Sequence, residues 1–328
     1  MPEQRDMTVG SPAVPPAAAA GNGFTGRSDG FSSPDAAEPE VVVEQAAGRK
    51  MGVLGWASIG WLVLMVGTAL LAPILPLEEP GRTAVTAARV GPFEDAAHIL
   101  GSDGTGRDML SETIHASRSS LLLAMGSVIV GTVVGGFLGL IAGYVRGPLD
   151  TVLSLLFNVI LSIPALVLAM SLVAVFASSD SGVTYERRMT VLVFTLALVV
   201  VPVLGRITRA STLAWAQRDF VKAAEAIGSP PRRIMVREVL PNVVPAMMSI
   251  ALLFVAIVIV AEGSLALLGV GIEGAPSWGN MIAMGRIHLE RAPHVVFVPA
   301  VAIFLTVLSL NYLGDVIRAR FDVRESVI

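Results

Sequence analysis

The sequence contains no cysteine, so it holds neither a disulfide nor a thiolate-bound metal. Lysine occurs only at Lys50 and Lys222. A phosphate-binding loop of the G-x-x-x-x-G-K-[ST] type needs a lysine behind a glycine pattern that neither position has. The chain is therefore not expected to hydrolyse nucleotides itself. His98, His115, His288 and His294 never fall in the His-Glu-x-x-His spacing of a helical zinc site. No metal site, and no serine, histidine and acid arrangement, is legible. Charge is scarce as well. Charged residues make up only 15% of the chain, against about 25% in soluble domains. Mean hydropathy is +0.72. What remains is a membrane protein, and a conduit rather than a catalyst.

What is present is a series of apolar runs near the length of about 20 residues that a helix needs to cross a bilayer. They predict an all-α membrane protein of about six transmembrane helices, near 52–74, 119–144, 151–177, 189–206, 243–270 and 294–314. Continuous runs exclude an outer-membrane barrel, whose strands alternate polar and apolar residues. Residues 1–48 are rich in Ala, Pro, Gly and Ser and predict a disordered tail, because such a stretch buries too little apolar surface to offset its ordering entropy. The tail is not read as a cleaved signal, since the first apolar block comes late. The arginines and lysines near helix ends set the orientation. The dense group from Arg206 to Arg237, with Arg49, Lys50, Arg146 and Arg318, predicts cytoplasmic N- and C-termini.

Gly131, Gly135, Gly139 and Gly143 recur every fourth residue in the second run, with Ser127 continuing the row. Residues four apart share a helix face, and a small-residue face lets another backbone approach closely in lipid. The partner is either another helix of this chain or a neighbouring subunit. Pro164 and Pro202 predict kinks or breaks in the third and fourth runs.

The segment from 207 to 241 interrupts the apolar pattern with charge. Phe220 to Ile227 reads as a short helix whose Ala223, Ala224 and Ala226 keep one side shallow, and Gly228 is the expected stop. Pro230 and Pro231 prevent continuation, while proline suits the first turn of a new helix. Arg232 to Leu240 is expected to form that helix and to end at Pro241. The product is a cytoplasmic elbow with a low-profile tip. It would seat in a partner's groove or, on the other reading, rest its arginines on anionic lipid.

At this point the chain resembles a known family. Lys222-Ala223-Ala224, Gly228 and Leu240-Pro241 are similar to the "EAA" loop by which ABC importer permeases dock on their ATPases. The resemblance is closest to the C-type permeases of dipeptide and oligopeptide importers and runs from about residue 50 to the end. It includes His98 to Asp103, Gly106-Arg107-Asp108, Leu140 to Tyr144, Ile163-Pro164-Ala165, Arg206 to Arg209, Leu268 to Gly271, Ser277-Trp278-Gly279 and Asn311 to Asp315. The family's leading glutamate is Lys222 here.

The resemblance implies the ABC importer permease fold and a permease moving peptides by alternating access in a bacterial cytoplasmic membrane. Nickel, glutathione or haem are alternative cargoes. It implies a second, related permease, two ATPase subunits that bind ATP and Mg, and an extracytoplasmic binding protein, with no cofactor in this chain and no nucleic acid among its partners. Lys222, Ala223, Ala224, Glu225, Gly228, Arg232, Arg233, Leu240 and Pro241 would form the coupling loop. An ion-driven secondary transporter is the less favoured alternative; such proteins gather ionisable groups at mid-membrane.

Three polar residues inside apolar runs, Asn158, Ser162 and Glu262, are candidates for the translocation pathway. Glu262 has a second reading, a structural hydrogen bond to a nearby helix, because an intramembrane acid costs roughly 2.5–3.5 kcal/mol unless it is paired. Gly101 to Asp108 lacks the ligand spacing of a calcium loop and reads as a turn and helix cap. The stretch from Glu273 to Arg291, with Trp278, Met281, Ile282 and Met284, reads as a partly apolar outer flap.

Overall fold

A computed structural model describes residues 52–177 and 184–325. The tail expected over 1–48 lies outside the described residues. Within them the chain is helical. The long elements are α1 (Val53–Leu71), α2 (Met109–Val145), α5 (Tyr185–Trp215), α8 (Leu240–Leu267) and α10 (His294–Glu325). Shorter helices are α3 (Pro148–Ser162), α4 (Ala165–Phe176), α6 (Asp219–Ala226), α7 (Pro231–Ile234) and α9 (Trp278–Gly285). By length and composition, five helices could cross a membrane, or six if one bent pair counts as a span.

That pair is α3 with α4, within the run at 151–177, where Pro164 predicts a kink or a break. The two meet at Ile163-Pro164 with a bend of 87°. Pro164 explains the break: the residue before a proline is pushed out of the helical region, and Ile163 is extended at φ −90° and ψ 128°. Pro202, by contrast, sits buried inside α5 without ending it.

The most extensive pairing is α2 with α5, and the glycine row is its seam. A methyl group on Gly131 would lie 2.6 Å from Val200 Cγ1, and one on Gly143 would lie 2.7 Å from the Arg209 carbonyl. Between them, Gly135 faces the Val201 carbonyl and Gly139 the Gly205 carbonyl. Numbers rise together on both helices, so α2 and α5 run parallel with matched four-residue steps. The row therefore packs inside this subunit, and lack of side chains is what lets the backbones touch.

Around this seam sit Leu123, Leu192, Leu204 and Ile259, all buried. Phe157 of α3 tucks its ring against Gly205 from the third side. The outward faces carry Trp56, Val133 and Phe137, all exposed. Large apolar side chains turned outward suit a helix surrounded by lipid rather than water.

Between α1 and α2 the chain forms an irregular cap tied by local hydrogen bonds. Asp103 Oδ1 accepts from Thr105 N, Thr105 Oγ1 and Arg107 N at 2.7, 2.8 and 2.9 Å. Asp108 caps α2 through Ser111 N at 2.8 Å. All of these carboxylate oxygens serve local turns. Nearby, His98 Nδ1 lies 2.7 Å from Asp95 Oδ2 and holds that carboxyl below its usual range.

Candidate functional site

The elbow is built by a helix stop and a helix restart. α6 ends in a paired cap: Gly228 N donates to the Glu225 carbonyl at 2.9 Å, and Ser229 N to the Ala224 carbonyl at 3.1 Å. That geometry needs a left-handed residue, and Gly228 has φ +81°. The space where its side chain would be is open. Pro231 then begins α7 at a position where a missing N–H costs nothing.

One departure from the expected elbow is informative. Its second helix does not end at Pro241. It passes through a π-helical turn over Met235–Val239 straight into α8. A proline ring in an ordinary helix collides with the carbonyl four residues back, and a wide turn carries one extra residue per turn. Leu240 N accordingly reaches back to the Met235 carbonyl. The Glu238 carbonyl is taken up instead by Asn242 Nδ2 at 2.6 Å. Leu240-Pro241-Asn242 is thus the stitching of a continuous rod from elbow to bundle.

The elbow is anchored on one side and bare on the other. Val221, Ile234, Val239 and Val243 are buried against Leu140 of α2, with Tyr144, Trp215 and Ala224 beside them. Arg218 stacks over Trp215, 5.3 Å from its ring centre, and Trp215 meets Phe220 at 6.2 Å, bracing the corner out of α5. Lys222, Ala223, Glu225, Gly228, Arg232 and Arg233 are all exposed, as is Pro241. Ile227 is 82% exposed at the tip. Lys222 Nζ lies 3.2 Å from Asp219 Oδ1, an exposed local pair worth little. A shallow apolar tip rimmed by cations, rigidly held from behind, is suited to seating in a groove.

The pathway candidates separate. Asn158 and Ser162 lie four residues apart and exposed on α3, with Ser162 Oγ donating to the Val159 carbonyl at 2.7 Å. Glu262 is elsewhere and buried. Its Oε1 accepts from Ser277 Oγ at 2.7 Å, and its other oxygen, against the Gly279 backbone, has no hydrogen-bond partner among the described residues.

Ser277 also caps α9, accepting from Asn280 N at 3.1 Å. Trp278 is fully buried, its backbone N donating to Ser120 Oγ at 3.1 Å and its ring Nε1 to the Thr113 carbonyl at 3.2 Å. Ser277-Trp278-Gly279 is therefore a latch that fastens α9 to α8 and α2. Beside it, a cavity of about 710 Å³ opens between the cap and the α8–α9 loop, lined in part by Glu112, Glu273, Asn280 and Arg286.

Two polar contacts escape sequence reading. Arg209 of α5 grips Asp150 of α3 with both Nε and Nη2, the latter 2.6 Å from Oδ2. In the sequence, Asp150 appears as a charged border of an apolar run and Arg209 as a member of the arginine-rich segment and of the Arg206 to Arg209 motif, and neither position names the other as its partner. Arg188 is 3% exposed and bridges three places. It donates to the Gly271 carbonyl at 2.9 Å and the Ala177 carbonyl at 3.3 Å, and pairs with Glu273 Oε1 at 2.8 Å. Nothing in the adjacent pair Arg187-Arg188 tells which one is buried.

Comparison with known proteins fits these features. Residues 135–327 match the model of the binding-protein-dependent transport system inner membrane component family. The chain belongs to that family. It is the membrane permease subunit of an ABC importer, a multi-pass inner membrane protein and not a nucleotide-binding subunit. The di/tripeptide transport system permease DppC of Pseudomonas aeruginosa is 32% identical, over 89% of this permease and 95% of that one. The glutathione transport system permease GsiD of Pectobacterium atrosepticum is 33% identical, over 71% of this chain and 75% of its own. In fold, the permease is similar to a structure of inward-facing conformations of the MetNI methionine ABC transporter. The TM-score is 0.51 at 18% identity, covering 64% of this chain and 97% of that one.

Proposed function

We propose that this permease moves small peptides inward by alternating access, powered by ATPase subunits that seat on the elbow. The observation that carries the reading is the two-sided elbow: Val221 and Ile234 fixed on α2, with Ala223, Glu225, Gly228 and the adjacent arginines left bare. Shifting a conformational ratio from 1:99 to 99:1 takes about 5.5 kcal/mol of differential binding. The chain has no lysine placed to hold phosphates, so partner subunits binding ATP and Mg supply that free energy. Small side chains on the exposed face let the elbow enter a cleft closely; Arg232, Arg233 and Lys222 steer it.

The remaining assembly is a second, related permease completing a heterodimer, and an extracytoplasmic binding protein that delivers cargo, all within membrane lipid. This orientation places the elbow and both termini in the cytoplasm, consistent with the arginine-rich segment from Arg206 to Arg237. Peptides are the cargo class that the relatives' names support, and glutathione, a tripeptide, falls within it.

The test is purification in mild detergent with the ATPase subunits co-expressed. They should co-purify with the native chain and be lost or uncoupled with Ala223→Trp, while insertion in the membrane is unchanged. Native ATPase stimulation in that variant would refute the docking role. The cargo is read independently, by mass spectrometry of what the purified binding protein holds.

A further inference from the structure

A polar row on α3, half-buried at its start and exposed at its end, begins at the Asp150–Arg209 pair. Asp150, Ser154, Asn158 and Ser162 follow at four-residue intervals, a spacing that winds slowly around a helix by about 40° per step. Asp150 Oδ1 accepts from Ser154 Oγ at 3.3 Å as well as from Arg209, so the first two members are tied together. The row ends where α3 breaks at Ile163-Pro164.

Arg209 is held equally firmly on its other side. Its backbone carbonyl abuts Gly143 and its backbone N abuts Gly139, placing it on the α2 seam. Less than two turns later α5 ends at Trp215, and the stacked Arg218, Trp215 and Phe220 lead into the elbow. A two-pronged guanidinium–carboxylate contact fixes orientation as well as distance. It joins α5 to a helix that otherwise meets α5 mainly through apolar packing, with Phe157 against Gly205.

From this geometry we infer that Asp150 and Arg209 are positioning residues that convey displacement of the elbow to α3. The pair is the rigid joint of a train running from elbow to α5 to α3, and it sets where the polar row of Asn158 and Ser162 stands in each state of the cycle. The inference rests on the elbow being the ATPase seat, and the experiment below separates failure of one from failure of the other.

The chain has no native cysteine, so spin labels can be introduced at chosen pairs without background from it. One pair, Gln217→Cys with Phe304→Cys, reports the elbow end of α5 against α10. A second, Val159→Cys with Phe304→Cys, reports α3 against the same reference. Pulsed electron resonance distances are taken for the full transporter without nucleotide and after trapping with ATP, Mg and vanadate.

In the native background both distances should shift on trapping. In Asp150→Asn the α5 distance should still shift while the α3 shift is lost or at least halved, with vanadate-sensitive hydrolysis within about twofold of native. The exchange Asp150→Arg with Arg209→Asp should restore the α3 shift. An α3 shift in Asp150→Asn equal to native overturns the inference. So does loss of both shifts together, which would mark the pair as a general structural support. No α5 shift in the native protein would refute the ATPase seat itself, and this inference with it.

Discussion

Ser277 Oγ donates to Glu262 Oε1 across 2.7 Å, joining the start of a short helix to the interior of a long one. The carboxylate is 1% exposed, so this hydroxyl is its main compensation for leaving water. Ser277→Ala removes this donor and the α9 cap together while keeping the acid buried, which should cost at least about 1–3 kcal/mol. Glu262→Gln keeps an acceptor for Ser277 and should cost less. Because membrane proteins seldom unfold reversibly, the check is the inactivation half-life at fixed temperature in detergent. Equal half-lives for Ser277→Ala and native protein would remove the structural role.

The seam between α2 and α5 gives a graded prediction. At Gly139 a side chain meets the Gly205 carbonyl, whereas at Gly126 it meets Val193 methyls at an ordinary 3.5 Å. Gly126→Ala should be tolerated. Gly139→Ala should destabilise by about 1–3 kcal/mol, and Gly139→Leu should abolish accumulation of the protein. Expression level and monodispersity in detergent distinguish the two sites.

At the elbow, stability and function should come apart. Gly228→Ala forces a left-handed backbone on an L-residue, costing roughly 1–2 kcal/mol locally, but adds little bulk to the open space there. Ala223→Trp strains nothing, since Ala223 is exposed within α6, yet blocks close approach. The expectation is a lower melting temperature with retained ATPase stimulation for the first. The second should show the reverse.

The Arg188–Glu273 pair is asymmetric, with side-chain exposures of 3% and 56%. Glu273→Ala strands a buried guanidinium on two backbone carbonyls, which is costly because the charge cannot reach water. Arg188→Met leaves Glu273 free to be solvated and loses the two carbonyl bonds, about 1–3 kcal/mol each. The exposed partner is therefore predicted to be at least as damaging to truncate as the buried one. Thermal inactivation of the two variants side by side decides it.

The helical class and the elbow's stop were legible because each rests on local chemistry. Apolar runs of spanning length state their own environment, and Gly228 followed by Pro230-Pro231 leaves the backbone few choices. Pro241 misled because it signals a helix end locally, whereas a π-helical turn and Asn242 absorb it. Glu262 stood out as a lone acid in an apolar run, but its partner Ser277 lies in a loop whose approach depends on the packing of Trp278. Arg188 and the Asp150–Arg209 grip were illegible for the same reason: each joins segments that only the three-dimensional arrangement brings together.

The unbroken passage from elbow to α8 has a mechanical corollary. The 28 residues of α8 span about 42 Å. A tilt of about 5° at the π-helical turn would swing the far end by about 4 Å. A small stroke at the elbow would thus become an ångström-scale stroke at the far end of α8, where Glu262 is fastened to Ser277. Leverage of this kind needs stiffness over the whole length, which is what a helix without a stop at Pro241 provides.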